Sequence, residues 1–153
     1  MDGIYSQCYI HFVFAVKFKN AAISADWQES LHKYITGITH NNGHKLMAIN
    51  SMPDHVHMLV GYNVTQAVAE FMRLVKGDSS EFINKNKFTP VKFHWQSGYG
   101  AFSISLSGID RQVKYFINQD QYHQNIQFRA EYMDMLKEWE VDFDEKNIFE
   151  ELV

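Results

Sequence analysis

The sequence predicts an α+β protein, a ferredoxin-like or RRM-like sandwich in which helices pack on a central antiparallel sheet. The first observation behind this prediction is the alternation of strand-like and helix-like runs in the order β-α-β-β-α-β(β)-α. The second is size, because 153 residues, 46% of them hydrophobic, are enough for one domain with a substantial core. We therefore expect a single domain over residues 1–153, with an acidic, irregular tail from about residue 140.

The first half of the chain contains three predicted strands and one helix. Residues 5–18 are rich in β-branched and aromatic side chains, which is typical of a buried strand. Apolar residues then recur at helical spacing over 26–43, and an Asn-Asn-Gly turn ends that helix. Runs at 44–50 and 55–60 flank a turn with proline and aspartate, so they predict a hairpin.

The second half of the chain is mainly helical. One amphipathic helix is predicted over 64–86. Strand-like residues follow at 93–95 and 100–106, on either side of a glycine-containing loop. Two more helices are predicted, over 107–122 and 128–139.

Bulk composition restricts the function only loosely. The net charge is −4 with histidines neutral, whereas nucleic-acid-binding proteins are often basic. A local groove of lysine and arginine can still bind phosphates on an acidic protein. The single cysteine, Cys8, excludes a disulfide within the chain, and no apolar run approaches the roughly 20 residues of a membrane span. We expect a soluble, cytoplasmic protein.

A His-Val-His motif occupies the start of the second hairpin strand. Side chains alternate along a strand, so His55 and His57 should point to one face while Val56 points to the other. Two imidazoles on one face can share a metal ion. They can equally be two hydrogen-bonded histidines on an ordinary sheet, and the motif alone leaves both readings open.

Tyr115 and Gln119 lie one turn apart on the predicted helix over 107–122 and therefore share one side of it. Tyr122 shares that side. The apolar stripe of the helix lies largely opposite and comprises Ile109, Val113, Phe116 and Ile117. A polar face with a tyrosine is compatible with a solvated surface, a partner interface or an active site.

Together these segments resemble the single-tyrosine HUH transposases, small insertion-sequence enzymes that act on single-stranded DNA, including relatives associated with repetitive extragenic palindromes. Residues 55–57 match the histidine-hydrophobe-histidine motif, and 115–119 resemble the family's tyrosine helix. The segments at 76–80 and 95–103 lie where the family has similar ones. The resemblance covers roughly 5–144, and the order and separation of the motifs are more specific than either motif alone.

The resemblance implies a divalent ion, Mg²⁺ or Mn²⁺, bound by His55, His57 and Gln119. It implies that Tyr115 attacks a DNA phosphate, leaving a 5′-phosphotyrosine link and a free 3′-OH. Another 3′-OH can reverse this link, so strands are rejoined without ATP. Tyr122 is a competing nucleophile, but only Tyr115 has a glutamine four residues later.

The partners implied by the resemblance are single-stranded DNA with hairpin ends and a second copy of the chain. In the family, the tyrosine helix of one subunit often completes the metal site of the other, so we expect a homodimer with shared active sites. Candidate DNA-binding residues are Lys17, Lys19, Arg73, Lys76, Ser79 and Ser80.

Two other functions are compatible with the sequence. One is a catalytically inactive or domesticated module that binds single-stranded nucleic acid through aromatic side chains. The other is a metal-dependent hydrolase that uses His55 and His57. It needs further ligands, yet Asp54 should point away from the pair on a regular strand, and His11, His44 and His94 have no motif spacing.

Overall fold

The computed structural model describes residues 3–124 and 126–150. Its sheet has four antiparallel strands in the order β2-β3-β1-β4, namely β1 (Cys8–Ala15), β2 (Lys45–Met52), β3 (His55–Tyr62) and β4 (Gly100–Ile104). The helices are α1 (Ala25–Asn41), α2 (Val68–Lys85), α3 (Ile109–Ile117), α4 (Gln119–Tyr122) and α5 (Phe128–Glu138). This arrangement confirms the predicted ferredoxin-like sandwich. Within the described ranges, no helix combines the length and the apolar character needed to cross a membrane.

One face of the sheet forms the main core with α1 and α2. Alternate side chains of the central strands point to it, and Phe12, Phe14 and Val56 are fully buried there. The ring of Phe12 lies 5.7 Å from that of Phe71 on α2, and Trp27 of α1 belongs to the same cluster. The two amphipathic helices thus bury their apolar sides against this face.

The opposite face of the same strands carries three histidines beneath the C-terminal helices. His11 of β1 and His55 and His57 of β3 are at most 1% exposed. Close by, Leu59 and Phe116 contribute to a small apolar cluster that attaches α3 to the sheet. These three histidines are therefore as well covered as the apolar residues of the first face.

The helix predicted over 107–122 is interrupted. The first part, α3, ends at Ile117 and α4 begins at Gln119, with Asn118 between them at φ −91° and ψ 12°. The predicted place of Ile117 in the apolar stripe is wrong, because its side chain is 70% exposed. The break instead directs Gln119, which is fully buried, toward the sheet.

Two other segments also differ from the prediction. The strand-like residues 93–95 form only an isolated bridge from Trp95 to Val16. The acidic tail contains a 3-10 turn at Glu145–Asn147, and Phe149 is buried against α5. The tail therefore contributes to the core, although residues 151–153 of it lie outside the described residues.

Candidate metal and tyrosine centre

His55 and His57 point from β3 to the same face of the sheet, as strand alternation predicts. Both are fully buried, and their ring centroids are 4.9 Å apart. Their Nε2 atoms lie 3.5 and 3.3 Å from Oε1 of Glu131. One ligand atom from each of these three residues lies within 4.8 Å of the others, so the group could hold a metal ion.

Glu131, which the sequence analysis missed, comes from α5. One turn earlier on this helix, Phe128 stacks on the His55 ring with centroids 4.0 Å apart, and this contact holds α5 over the site. Glu131 is only 1% exposed. Its Oε2 accepts hydrogen bonds from the Tyr115 hydroxyl and, at 3.0 Å, from Gln119 Nε2.

Tyr115 and Gln119 meet the histidines of their own chain. Gln119 Oε1 lies 3.1 Å from His55 Nε2, and the Tyr115 ring lies 5.6 Å from the ring of His57. All four residues predicted for the site therefore come together within a single chain. The resemblance had implied that two subunits complete the centre between them.

His123 is a second residue that the sequence analysis missed. Its Nε2 lies 3.0 Å from Gln119 Oε1 and 3.1 Å from Glu131 Oε1. Its Nδ1 lies 2.7 Å from the carbonyl oxygen of Ile126. Because a carbonyl can only accept, Nδ1 carries the proton and Nε2 presents a lone pair to the centre.

Two outer hydrogen bonds orient the histidines of the motif. His55 Nδ1 lies 2.6 Å from Asp54 Oδ1, and His57 Nδ1 lies 2.7 Å from His11 Nε2. With the proton on Nδ1, each ring turns its Nε2 lone pair toward Glu131. The expectation that Asp54 points away is wrong, because Asp54 lies in the turn before β3, where strand alternation does not apply.

Burial sets the charge states within the centre. Desolvation, and secondly the charges of neighbouring histidines, hold the pKa values of His57 and His11 well below the ordinary value, which keeps both rings neutral. Burial raises the pKa of Glu131 to about 7. A divalent ion needs neutral imidazoles and would compensate this buried carboxylate, so the nitrogen and oxygen donors present fit such an ion.

Two of the candidate DNA contacts instead support the loop over 95–103. Lys76 is half-buried, and its Nζ donates to two carbonyl oxygens, of Gln96 and Gly98, at 2.8 Å each. Ser79 is fully buried, and its hydroxyl accepts from Trp95 Nε1 at 3.0 Å. Both side chains are thus engaged in the packing of α2 against this loop.

The other candidate DNA contacts lie at the surface. Arg73 pairs with Glu70 on α2 at 2.6 Å. Ser80 donates its hydroxyl to the carbonyl of Gly77, also on α2, at 3.0 Å. Lys17 and Lys19 lie between β1 and α1 and are exposed.

The fold and the centre together have the features of the HUH class that the motifs suggested. The family model described as "Transposase IS200 like" matches residues 4–120, and the chain belongs to this family. This confirms the resemblance. The match includes both histidines of the motif, Tyr115 and Gln119, whereas His123 and Glu131 lie beyond its end.

Curated relatives are transposases of bacterial insertion sequences. The ISDra2 transposase TnpA of Deinococcus radiodurans is 28% identical over 78 residues, which cover 51% of this chain and 56% of the relative. The transposase for insertion sequence element IS200 of Salmonella typhimurium is 23% identical over 122 residues, which cover 74% of this chain and 80% of the relative. The chain thus spans little more than half the length of the first relative and four-fifths of the second.

Solved structures share the fold at low sequence identity. A crystal structure of a putative transposase from Deinococcus radiodurans superposes with a TM-score of 0.61 at 22% identity, covering 78% of this chain and 95% of the other. The structure of a REP-associated tyrosine transposase bound to a REP hairpin also superposes with a TM-score of 0.61, at 12% identity. The superposition covers 82% of this chain and 74% of the other.

Proposed function

We propose that this chain is a transposase that cleaves and rejoins single-stranded DNA at hairpin-marked element ends through a 5′-phosphotyrosine intermediate. One observation carries the proposal. The Tyr115 hydroxyl is hydrogen-bonded to one oxygen of Glu131, while the other oxygen of that carboxylate faces His55 and His57. A nucleophile thus lies one carboxylate away from a candidate metal group.

Mg²⁺ or Mn²⁺ would be held by the Nε2 atoms of His55 and His57, with oxygen from Gln119, Glu131 or both. Glu131 extends the ligand set expected from the resemblance, since its Oε1 is near both imidazoles. Bound there, the ion would polarise the scissile phosphate and neutralise its developing charge. The hydrogen bonds that His55 and His57 donate to Asp54 and His11 hold the two rings in the orientation that this role requires.

Tyr115 would attack the phosphorus atom directly. Its phenolic oxygen forms the new bond, and its proton passes to Glu131 Oε2, the acceptor of its hydrogen bond. The bond from phosphorus to O3′ breaks with its electron pair on O3′, which takes a proton from solvent while Glu131 returns the tyrosine proton to solvent. Attack by another 3′-OH runs the same exchange backwards and rejoins DNA, since the phosphodiester energy is kept in the tyrosyl link.

The family and a structural neighbour support a DNA partner. That neighbour is bound to a REP hairpin, and we propose a hairpin beside a single-stranded cleavage site for this chain as well. The location in the cytoplasm stays a prediction.

The direct test is a gel assay for a covalent adduct. The protein is incubated with Mn²⁺ and labelled single strands taken from the palindromic DNA flanking its gene, then run under denaturing conditions. We expect a protein–DNA adduct with the wild type and with Tyr122→Phe, but not with Tyr115→Phe. Cleavage without an adduct would indicate a hydrolase, and binding to a strand without cleavage would indicate an inactive module.

A homodimer with shared sites is also part of the proposal. Because the four residues also meet within one chain, a mixing experiment can decide whether one subunit or two complete each centre. Tyr115→Phe and His57→Ala proteins are mixed, each inactive alone. Shared sites would restore adduct formation, because one composite centre is then intact. Sites complete within each chain would leave the mixture inactive.

A further inference from the structure

Two surface cavities have Lys19 in common, and one of them reaches the centre. We name their combined surface the Lys19 groove. The inner cavity, of about 460 Å³, is lined by Lys19, Pro53, Asp54, His123, Gln127 and Phe128. The outer one, of about 400 Å³, is lined by Phe18, Lys19, Asn20, Val91, Lys92 and His94.

The outer half of the Lys19 groove combines cations with an exposed aromatic ring. Lys19 and Lys92 are exposed, on a chain whose net charge is −4. Phe18 is 43% exposed, its ring meets His94 edge-on at 5.8 Å, and Lys17 Nζ lies 5.4 Å from its centroid. Lysines for phosphates beside a ring for stacking are the chemistry that recognises a single strand.

The inner half of the groove reaches the centre beside His55, and its lining does not include Tyr115. Its lining includes Asp54, which is bonded to His55, and Phe128, which stacks on His55. The Tyr115 ring instead lies against His57. Tyr115 borders a separate cavity of about 210 Å³, and none of the residues lining that cavity also lines the inner half of the Lys19 groove.

The positions of Tyr115, His57, His55 and the groove indicate on which side of the scissile phosphate each DNA strand lies. In phosphoryl transfer the attacking and leaving oxygens lie roughly in line through phosphorus. With Tyr115 attacking from the His57 side, the leaving O3′ departs toward His55 and the groove. We propose that the Lys19 groove binds the strand that ends in the new 3′-OH and holds it after cleavage for rejoining. This inference rests on the proposed function, with Tyr115 acting in the centre of its own chain, which the mixing of Tyr115→Phe and His57→Ala proteins tests separately.

The first test measures binding of fluorescent (dT)₂₀ in the Tyr115→Phe background, so that no cleavage occurs. The double variant Lys19→Gln with Lys92→Gln should weaken binding several-fold. It should also reduce the steepness with which the logarithm of the association constant falls with the logarithm of salt concentration, by about 1.4 in slope, roughly 0.7 per lost phosphate contact. Phe18→Ala should weaken binding about fivefold or more and leave that slope unchanged. An unchanged slope in the double variant would overturn the proposal.

The matched control is Lys33→Gln with Lys45→Gln, which removes the same charge from exposed positions on α1 and at the far end of β2. We expect wild-type binding and an unchanged slope. If this control loses as much slope as the groove variant, the effect comes from overall charge and the groove has no special role.

The second test addresses the direction of the strand, in the active protein with its flanking hairpin DNA. Loss of Lys19 and Lys92 should lower the ratio of rejoined strand to tyrosyl adduct several-fold, because the released 3′-OH strand escapes. A wild-type ratio in the groove variant would overturn the assignment while leaving the transposase proposal intact. Absence of any adduct with the wild type would instead reject the proposed function itself.

Discussion

The two faces of the sheet are built from alternate residues of the same strands, yet they differ in what burial achieves. On the α1–α2 face, Phe12, Phe14 and Val56 are buried in an apolar core. On the other, His11, His55 and His57 are buried as deeply, among aromatic rings and the polar side chains of the centre. Burial of the first kind stabilises the fold through the hydrophobic effect, whereas burial of the second kind shifts pKa values and prepares a binding centre.

The largest expected effect separates the two faces by mutation. His57→Ala should lower adduct formation at least about 10³-fold, because a metal ion contributes several kcal/mol to stabilising the transition state. Phe14→Ala should lower the free energy of unfolding by about 3–5 kcal/mol, with adduct formation per folded molecule unchanged. Gel assays and urea unfolding measure the two quantities. Substantial adduct formation by folded His57→Ala would contradict the division between the faces.

A smaller effect concerns the cost of burying Glu131 without a cation. Its folded pKa of about 7 exceeds the ordinary value, so this group costs stability progressively as pH rises from about 4.5 to 7 and fully above that. In EDTA, Glu131→Gln should therefore raise the free energy of unfolding by about 3 kcal/mol at pH 8, since each pKa unit is about 1.4 kcal/mol.

The pH dependence of that gain is the control. At pH 4 both the folded and the unfolded wild type hold Glu131 largely protonated, so the gain should nearly vanish. Urea unfolding at the two pH values gives the comparison. A gain of equal size at both would show that the substitution acts through packing, and that the charge of the carboxylate is irrelevant.

A third effect tests the hydrogen bond behind His57. His11→Phe keeps an aromatic ring but removes the acceptor for His57 Nδ1, and we expect Mn²⁺ affinity to fall about 10- to 100-fold. His11→Gln retains an acceptor and should lose less. Titration calorimetry with Mn²⁺ measures both without relying on activity. Equal affinities for wild type and His11→Phe would show that His11 does not contribute to metal binding at the centre.

The fold was predictable because periodicity and turn residues are local signals. Strand alternation alone placed His55 and His57 on one face, and the resemblance added Tyr115 and Gln119. The interruption at Asn118 was not predictable, because the polar residues over 118–121 are equally compatible with a continuous, exposed last turn of the helix. At this position the contacts of Gln119 with His55 of the sheet stabilise the chain more than a continuous helix would.

Glu131 was missed because its partner His57 is 74 residues away in sequence. His123 lies one turn after Gln119, but a histidine at that spacing is not by itself a signal of a shared centre. One signal could have found Glu131. It lies three residues after Phe128 and four before Met135, so it occurs within the buried stripe of α5. A carboxylate on the apolar side of an amphipathic helix indicates a partner in the core.

The smallest effect is expected at Ile117, and its neighbour Phe116 on α3 provides the comparison. Phe116 is 1% exposed and Ile117 is 70% exposed, so Phe116→Ala should cost about 3–5 kcal/mol. Ile117→Ser should change the free energy of unfolding of the monomer by no more than about 0.5 kcal/mol. If the expected homodimer uses this side of α3, Ile117→Ser will weaken dimerisation in sedimentation experiments without changing monomer stability. A dimer unaffected by this substitution must form through another surface, and Ile117 is then simply a solvated apolar side chain.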